Sequence, residues 1–452
     1  MLPSTPANAK DVYDWLSQFF NVEQGLNKRE FTLDNMKLLA ERAGHPENCA
    51  PSIHVAGSKG KGSVTGMIAS ILSNSGLLTA SYISPHVSDF RERLSLNGAF
   101  FTEEIYASAG KELMDITESL NFKAGKEPNF FELLTLWFFL CARLVKCDVM
   151  SVETGLGGRL DATNILDPLA SVITIIELEH TEYLGNTIAA IAGEKAGIIK
   201  HNRPLILAEQ SDEALEVFRK RAAFCNSPLY YFPDCTEINN IRVDQKGTLF
   251  NLVLKNSESG NKENEILPDL FLPMPGDIQA KNAGLAVLAI KTAFPNIQNS
   301  SIYKGLASFT LPARFERISD KPPIVIDGAH TKQSMEHCLK VFSSLYGSGG
   351  LLIFGCAADK NVHSMAELCV PCFSTIIITT PGTFKKSYPQ EIYTTFIGVK
   401  QKTGKETEIL FIPNTPEAIN QAIDLALKQE LPILGAGSFY LAAEIREKAG
   451  SR

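Results

Sequence analysis

The chain has 452 residues, 44% hydrophobic and 21% charged, enough for two or three domains with ordinary soluble cores. Its 43 basic and 50 acidic residues leave a formal charge of -7, which argues against nonspecific nucleic-acid binding. The most membrane-like stretch, residues 133–142, is too short to span a bilayer and lies between Glu132 and Arg143, so no membrane partner is expected.

Residues 1–10 are polar and contain prolines, without an apolar core; no secretory signal is expected, and a cytoplasmic location is. Apolar residues near helical spacing predict helices over residues 11–20 and 31–43. The stretch that organises the chain follows. Ser52-Ile53-His54-Val55-Ala56 reads as a strand, and Gly57-Ser58-Lys59-Gly60-Lys61-Gly62-Ser63 comes directly after it. Apolar residues at Val64, Met67, Ile68, Ile71 and Leu72 then predict a helix to about residue 75. Strand, glycine loop and helix in that order aim backbone N–H groups and a positive helix end at one small volume. Glycines let the main chain approach a polyphosphate, Lys61 would reach its β- and γ-phosphates, and the Ser63 hydroxyl would coordinate Mg²⁺. The loop is a short relative of GxxxxGK[ST]. The alternative is a surface turn that happens to hold glycine and lysine; the flanking strand and helix favour the phosphate cradle.

A second strand is expected over residues 79–83, running into Ser84-Pro85-His86-Val87-Ser88-Asp89-Phe90-Arg91-Glu92-Arg93-Leu94. This reads as a loop folded over a ligand, with Pro85 a candidate for a cis bond, or as a solvated loop. Asn129 opens a long apolar helix to about residue 146. Residues 148–152 form a strand ending in Glu153, ahead of a glycine-rich run to Asn164. A carboxylate at a strand's carboxyl end beside glycines is where an α/β sheet usually puts a metal ligand. Residues 171–176 are another strand, leading to Glu177-Leu178-Glu179-His180, then to a helix containing Glu194 and Lys195, and to a strand over 203–207. Singly, Glu153, His180 and Lys195 read as ordinary residues. Jointly they gain weight, because neighbouring strand ends converge on the crevice beside the phosphate loop.

Runs at 229–232, 241–243 and 248–254 alternate and predict a small antiparallel sheet appended to the parallel one, with a polar loop over 256–264. A helix follows Pro275-Gly276-Asp277 to about residue 293. A boundary is expected near Thr310-Leu311-Pro312, separating an ATP-binding domain, residues 1–309, from residues 310–452. The second domain alternates strands (323–326, 351–354, 375–379, 409–412, 432–435) with helices, a Rossmann-like α/β pattern. Asp327-Gly328-Ala329-His330 stands where a GxGxxG would be, so no dinucleotide site is expected. The fold class is thus α/β: a P-loop ATPase domain with a mostly parallel sheet, then a Rossmann-like domain. Of nine cysteines, Cys369 and Cys372 form the one CxxC; no second pair completes a zinc site, and reduced thiols lining a core are expected.

Taken together, the ordered motifs resemble folylpolyglutamate synthase/dihydrofolate synthase, within the Mur ligase superfamily. The resemblance rests on His54 through Ser63, Ser84-Pro85-His86 with Phe90-Arg91-Glu92-Arg93, Glu153 through Asn164, His180 with Tyr183-Leu184-Gly185, and Glu194-Lys195-Ala196-Gly197. It continues through Gln279 and Asn282, Arg314-Phe315-Glu316, Asp327 to His330, Asp359-Lys360 and Gly437-Ser438-Phe439-Tyr440-Leu441, spanning nearly the whole chain. The resemblance implies that Lys61 and the loop amides hold ATP, that Ser63 and Glu153 bind one Mg²⁺, and that His180 helps bind a second. Lys195 matches a position that carries a carbamate in relatives, a modification requiring a neutral amine. Asn282 would face the adenine, and Arg314, Asp327 and His330 would reach the nucleotide from the second domain. The Ser84 to Arg93 loop, with His86, Arg91 and Arg93, would line the pterin–benzoate site, and Ser438 would lie near the incoming glutamate. The chain departs from the family pattern at Ser58-Lys59 (commonly Thr-Asn), Glu179 (Asp), Ile278 (His) and Thr331 (Asn).

The activity this implies is ATP-dependent ligation of L-glutamate to folate or dihydropteroate by a monomer, through an acyl phosphate, with two Mg²⁺ ions and no side-chain nucleophile. The competing readings are another Mur-type amino-acid ligase acting on peptidoglycan precursors, or a P-loop NTPase switch. The Ser-Pro-His and Asn-Phe-Phe-Glu segments favour folate over the first. The whole second α/β domain disfavours the switch.

Overall fold

The structure, a computed structural model, describes residues 5–21, 31–120, 122, 126–255, 263–382 and 385–450. The first sheet has eight strands: β1 (Ser52–Ala56), β2 (Thr79–Tyr82), β3 (Leu94–Leu96), β4 (Ala99–Phe100), β5 (Val149–Glu153), β6 (Ala170–Ile173), β7 (Leu205–Leu207) and β8 (Leu229–Tyr231). Their order is β4-β3-β2-β5-β1-β6-β7-β8, parallel from β2 through β8, with β3 and β4 antiparallel at one edge. Every residue of β1 and β5 is buried. A central parallel strand covered on both faces favours apolar residues, here Ile53, Val55 and Ala56 in β1 and Val149, Met150 and Val152 in β5, with His54, Ser151 and Glu153 as buried polar members.

One face is covered by the helix Lys61–Asn74, packed against Asp277–Ala293 and Asn299–Ser308. Close approach is made possible by Gly305, where a Cβ would lie 2.5 Å from Ile71 Cα. The other face carries the helix Phe130–Leu144, wrapped by Ala9–Leu16, Asp34–Arg42 and Glu103–Ser119. Its apolar surface is therefore core, and among the described residues no helix is long and apolar enough to cross a membrane.

The expected antiparallel appendage exists but begins later. The run at 229–232 joins the large sheet as its parallel edge, because the crossover helix Asp212–Phe224 returns the chain alongside β7. The three-stranded sheet consists of β9 (Thr236–Asp244), β10 (Gly247–Leu254) and β11 (Glu265–Leu272), and residues 256–262 of the expected polar loop lie outside the described residues.

The second sheet has six strands, β12 (Glu316–Asp320), β13 (Pro323–Ile326), β14 (Gly350–Phe354), β15 (Phe373–Ile378), β16 (Glu408–Phe411) and β17 (Ile433–Ala436), in the order β12-β13-β17-β14-β15-β16. All pair in parallel except β12, an antiparallel edge strand. Helices pack on both faces.

Candidate active site

β1 delivers the chain into the loop Gly57–Gly60, and the helix that follows starts at Lys61. Gly57 has φ +147°, and a Cβ there would lie 1.8 Å from Thr174 Oγ1. Gly60 is left-handed, φ +88°, and a Cβ there would meet Asn282 Oδ1 at 2.7 Å. These are the two positions where glycine is required: one lets β1 turn against the end of β6, the other lets the loop touch the helix bearing Asn282. No side chain caps the helix that begins at Lys61, so its first amides stay available to an anion. Ser58 N and Oγ are held by Ile175 O and Glu177 O at 2.9 and 3.0 Å, which fixes the loop's outer side. Lys61 Nζ donates to Gly57 O at 3.0 Å, and Ser63 is buried in the first turn of the helix.

Glu153 ends β5 with its carboxylate against that first helical turn: Oε2 accepts from Ser84 N at 2.9 Å, and a Cβ on Gly62 would lie 3.3 Å from it. Burial raises its pKa to about 7, against the pull of Lys61, the Ser84 amide and Arg314. A buried carboxylate beside a serine hydroxyl and uncapped amides is a donor set suited to Mg²⁺, which takes one or two carboxylates and completes its shell with phosphate oxygens and water. Among the described residues, no three His, Cys, Asp or Glu side chains form a metal cluster by themselves.

On the far side of the loop, Lys195 is 1% exposed and donates to Gly57 O at 2.7 Å and to Glu179 Oε1 at 3.0 Å. Burial, then the positive charge of Lys61, lowers it to about 8. Glu179 is held at about 2: burial works to raise it, but Lys61 and Lys195 outweigh that. His180, left-handed at φ 46°, opens the short helix Thr181–Leu184 within electrostatic reach of Glu179, Lys61, Lys195 and Lys360.

The second lobe brings Arg314, whose guanidinium lies 4.2 Å from the Phe439 ring centroid and interacts with both Asp327 and Glu153. Asp327 follows β13 and accepts from Phe315 N at 2.8 Å and Ala329 N at 2.7 Å. His330 Nδ1 meets Gly328 O at 2.7 Å; a carbonyl can only accept, so Nδ1 carries the proton and Nε2 the lone pair. Burial, then Lys59, lowers His330 to about 3, which keeps it neutral. Ser438 Oγ accepts from Tyr440 N at 3.1 Å as the last helix begins.

The Ser84 to Arg93 loop leaves β2 through a cis Ser84–Pro85 bond. Glu92 ties it internally by accepting from Val87, Ser88 and Asp89 N. Val87 packs against the buried cluster of the second lobe that includes Ala313 and Ile326, so the loop reaches across to that lobe. Arg93 Nε donates to His86 Nδ1 at 2.8 Å, while Arg91 is engaged by Asp89 and Glu103 and lies over Phe100 at 4.5 Å. The structure therefore gathers Lys61, Ser63, Glu153, Lys195 and Arg314 about one volume, with Glu179 and His180 at its rim. It turns Arg91 toward the outer edge of its loop. Thr174 behind Gly57 carries no recognisable signal in the sequence, while Glu179 and Phe439 stand there only within runs that carry the resemblance, with nothing to show that they hold Lys195 and Arg314.

A phosphate loop and a strand-end carboxylate in one lobe, completed by an arginine from a second α/β lobe, define a two-lobed ATP-dependent ligase. Two family models match accordingly: the Mur ligase middle domain over residues 55–290 and the Mur ligase glutamate ligase domain over 313–439. The chain is 30% identical over 435 residues to the dihydrofolate synthase/folylpolyglutamate synthase of Bacillus subtilis (strain 168), covering 95% of this chain and 96% of the relative. Among solved structures it is similar to folylpolyglutamate synthase of Thermotoga maritima, with a TM-score of 0.83, 27% identity and coverage of 98% and 96%. The Mycobacterium tuberculosis enzyme, solved with ADP and AMPPCP, gives 0.84, 26%, and 97% and 99%. The chain belongs to the folylpolyglutamate synthase/dihydrofolate synthase family of Mur ligases.

Proposed function

We propose that this chain joins L-glutamate to folate, and also to dihydropteroate, at the expense of ATP, with residues 1–309 binding the nucleotide and residues 310–452 closing over it. The observation that carries the reading is the meeting of Lys61, Glu153 and Arg314, from three separate segments and both lobes, at the uncapped start of one helix.

In this reading the amides of Gly57, Ser58, Lys59, Gly60, Gly62 and Ser63 cradle the phosphates, Asn282 faces the base, and Asp327 orders the loop that carries His330. Ser63 and Glu153 hold one Mg²⁺ and His180 a second; the ions supply charge neutralisation on the phosphoryl oxygens. Ser84, Pro85, His86 and Arg93 border the pteridine acid, with Arg91 shaping their loop, and Ser438 lies by the incoming glutamate.

A carboxylate is a poor electrophile, so it first accepts the γ-phosphoryl group and becomes an acyl phosphate. The glutamate amine attacks that carbonyl, and the tetrahedral intermediate collapses to amide and phosphate. The chain's own work is positional and electrostatic. Lys61 moves from Gly57 O to the transferring group, and Arg314 adds a second cation when the lobes meet. Val87 packs against the second lobe's core, and neutral His330 offers Nε2 to a proton.

Incubation with ATP, Mg²⁺, glutamate and either tetrahydrofolate or dihydropteroate, followed by mass spectrometry, should give products one glutamate heavier. ADP release should require both acceptor and amine. ATP hydrolysis at full rate with neither would instead mark an NTPase switch.

A further inference from the structure

We propose that Cys49 and Cys147 form an oxidisable dithiol, a reversible modification site for peroxides at the end of the first sheet opposite the phosphate loop. In the β1–β5 ladder Ser52 pairs with Met150, and Met150 N donates to Pro51 O at 2.9 Å. Cys49 and Cys147 each lie three residues upstream of that pair, so the two chains enter the sheet side by side with a thiol on each. The 3₁₀ turn Pro46–Asn48 positions the first, and the close of the helix Phe130–Leu144, through Cys147 N to Ala142 O at 3.2 Å, positions the second. Both side chains join one packed cluster, Cys147 buried in it and Cys49 packed against it, and each thiol shifts the ionisation of the other.

Their environments differ in the way that oxidation chemistry requires. Cys147 is 5% exposed, whereas Cys49 is half-buried and open to a small oxidant. The neighbouring Cys147 thiol, helped by the Arg143 charge, lowers the Cys49 thiol against burial and Glu47. The same pairing, with burial, raises Cys147. Cys49 is thus the attacking thiolate and Cys147 the resolving thiol. The sequence draws the eye to Cys369 and Cys372 instead, but burial raises both thiols there.

The reaction balances with peroxide as the only co-reactant. The Cys49 thiolate attacks one peroxide oxygen; the O–O bond breaks, leaving a sulfenic acid and hydroxide, which takes up a proton. The Cys147 sulfur then attacks the sulfenic sulfur. An S–S bond forms, the S–O bond breaks, and the departing hydroxide leaves as water with the Cys147 proton. Two thiols lose two electrons, which the peroxide gains. The cross-link closes a long segment containing the phosphate loop, so it stabilises the fold while leaving the site at the far strand ends in place.

The test treats the reduced full chain with a small excess of hydrogen peroxide, blocks the remaining thiols, and maps peptides without reduction. The expected result is a Cys49–Cys147 linked peptide, loss of two alkylatable thiols, a melting temperature raised by several degrees, and reversal by dithiothreitol. Cys49→Ser should give no link, and Cys147→Ser should leave Cys49 as a sulfenic acid trapped by dimedone. Free, alkylatable Cys49 in the oxidised native protein would overturn the proposal, as would first oxidation at Cys369 or Cys372. Mapping the wild-type chain decides the matter even if a variant fails to fold.

Discussion

Gly57→Ala tests the phosphate cradle where it is tightest. The added Cβ would lie 1.8 Å from Thr174 Oγ1, 2.9 Å from Thr174 Cβ and 3.0 Å from Thr174 N, at φ +147°. The Thr174 amide cannot give way, because it donates to Ala56 O at 2.9 Å and continues the pairing of β1 with β6. Rotating the threonine side chain would free Oγ1, which has no hydrogen-bond partner among the described residues, but would leave the other two contacts in place. Forced overpacking costs about 1–3 kcal/mol. A non-glycine residue in this backbone region costs about 1–3 kcal/mol more. Urea unfolding should therefore show a loss of about 2–6 kcal/mol. Titration with a nonhydrolysable ATP analogue should show weakened binding, because the amides of the loop shift with Gly57. Adding Thr174→Ala removes the shortest contact and should return part of the loss, a coupling of about 1 kcal/mol or more. A Gly57→Ala protein with unchanged stability and affinity would refute the need for close approach here.

Lys61→Ala should lower kcat by at least about 100-fold in a single-turnover ADP assay, the scale of losing one electrostatic donor. Its fold should survive, since the Lys61 ammonium bonds back to Gly57 O of its own loop; unchanged turnover would remove Lys61 from the site. Cys369→Ser, deep in the second lobe, should leave the rate alone. Lys195, lowered to about 8 by burial and Lys61, should take up ¹³C-bicarbonate as a carbamate resonance that Lys195→Arg lacks. His54 contacts Thr163 Oγ1 at 2.7 Å, and that hydroxyl already donates to Asp161 Oδ1, so His54 is neutral with a bare Nδ1. Burial lowers it to about 3, so its contribution is complete above pH 6.5 and is lost as pH falls toward 3. Between pH 6.5 and 5 the wild type should lose about 2 kcal/mol through this group, a slope that His54→Gln should flatten in urea unfolding.

What the sequence discloses and what it hides follow from physics at particular residues. β1 and β5 are legible because central parallel strands are rich in branched and other apolar residues, and the phosphate loop because only glycine fits at Gly57 and Gly60. β12 escapes notice because an edge strand, Glu316–Asp320, is half-exposed and mixes charge with a single central isoleucine. The helix Glu103–Ser119 has the buried spacing Tyr106, Ala109, Gly110, Leu113 and Met114, but its small and polar members mute the pattern. Arg314 and Glu153 lie far apart in the chain, and only the meeting of the lobes makes them neighbours. Lys195 is visible as a residue type, but the acid that holds it is not: Glu179 shares a short run with Glu177, and nothing local says which one turns inward.

That pairing bears on the order of events at the site. Gly57 O accepts from Lys61 Nζ at 3.0 Å and from Lys195 Nζ at 2.7 Å, so two ammonium groups crowd one oxygen. The Lys61 charge is part of what lowers Lys195 to about 8, second only to burial. A triphosphate that draws Lys61 away and adds negative charge nearby reverses both influences, and Lys195 then holds its proton more firmly. Since carbamylation needs the neutral amine, the proposed carbamate forms most readily before nucleotide arrives. Enzyme equilibrated with bicarbonate and then given ATP should start without delay, whereas enzyme stripped of carbon dioxide and saturated with ATP first should show a lag on adding bicarbonate. Equal onset in both orders would separate Lys195 from carbamate chemistry and leave it as the structural partner of Glu179.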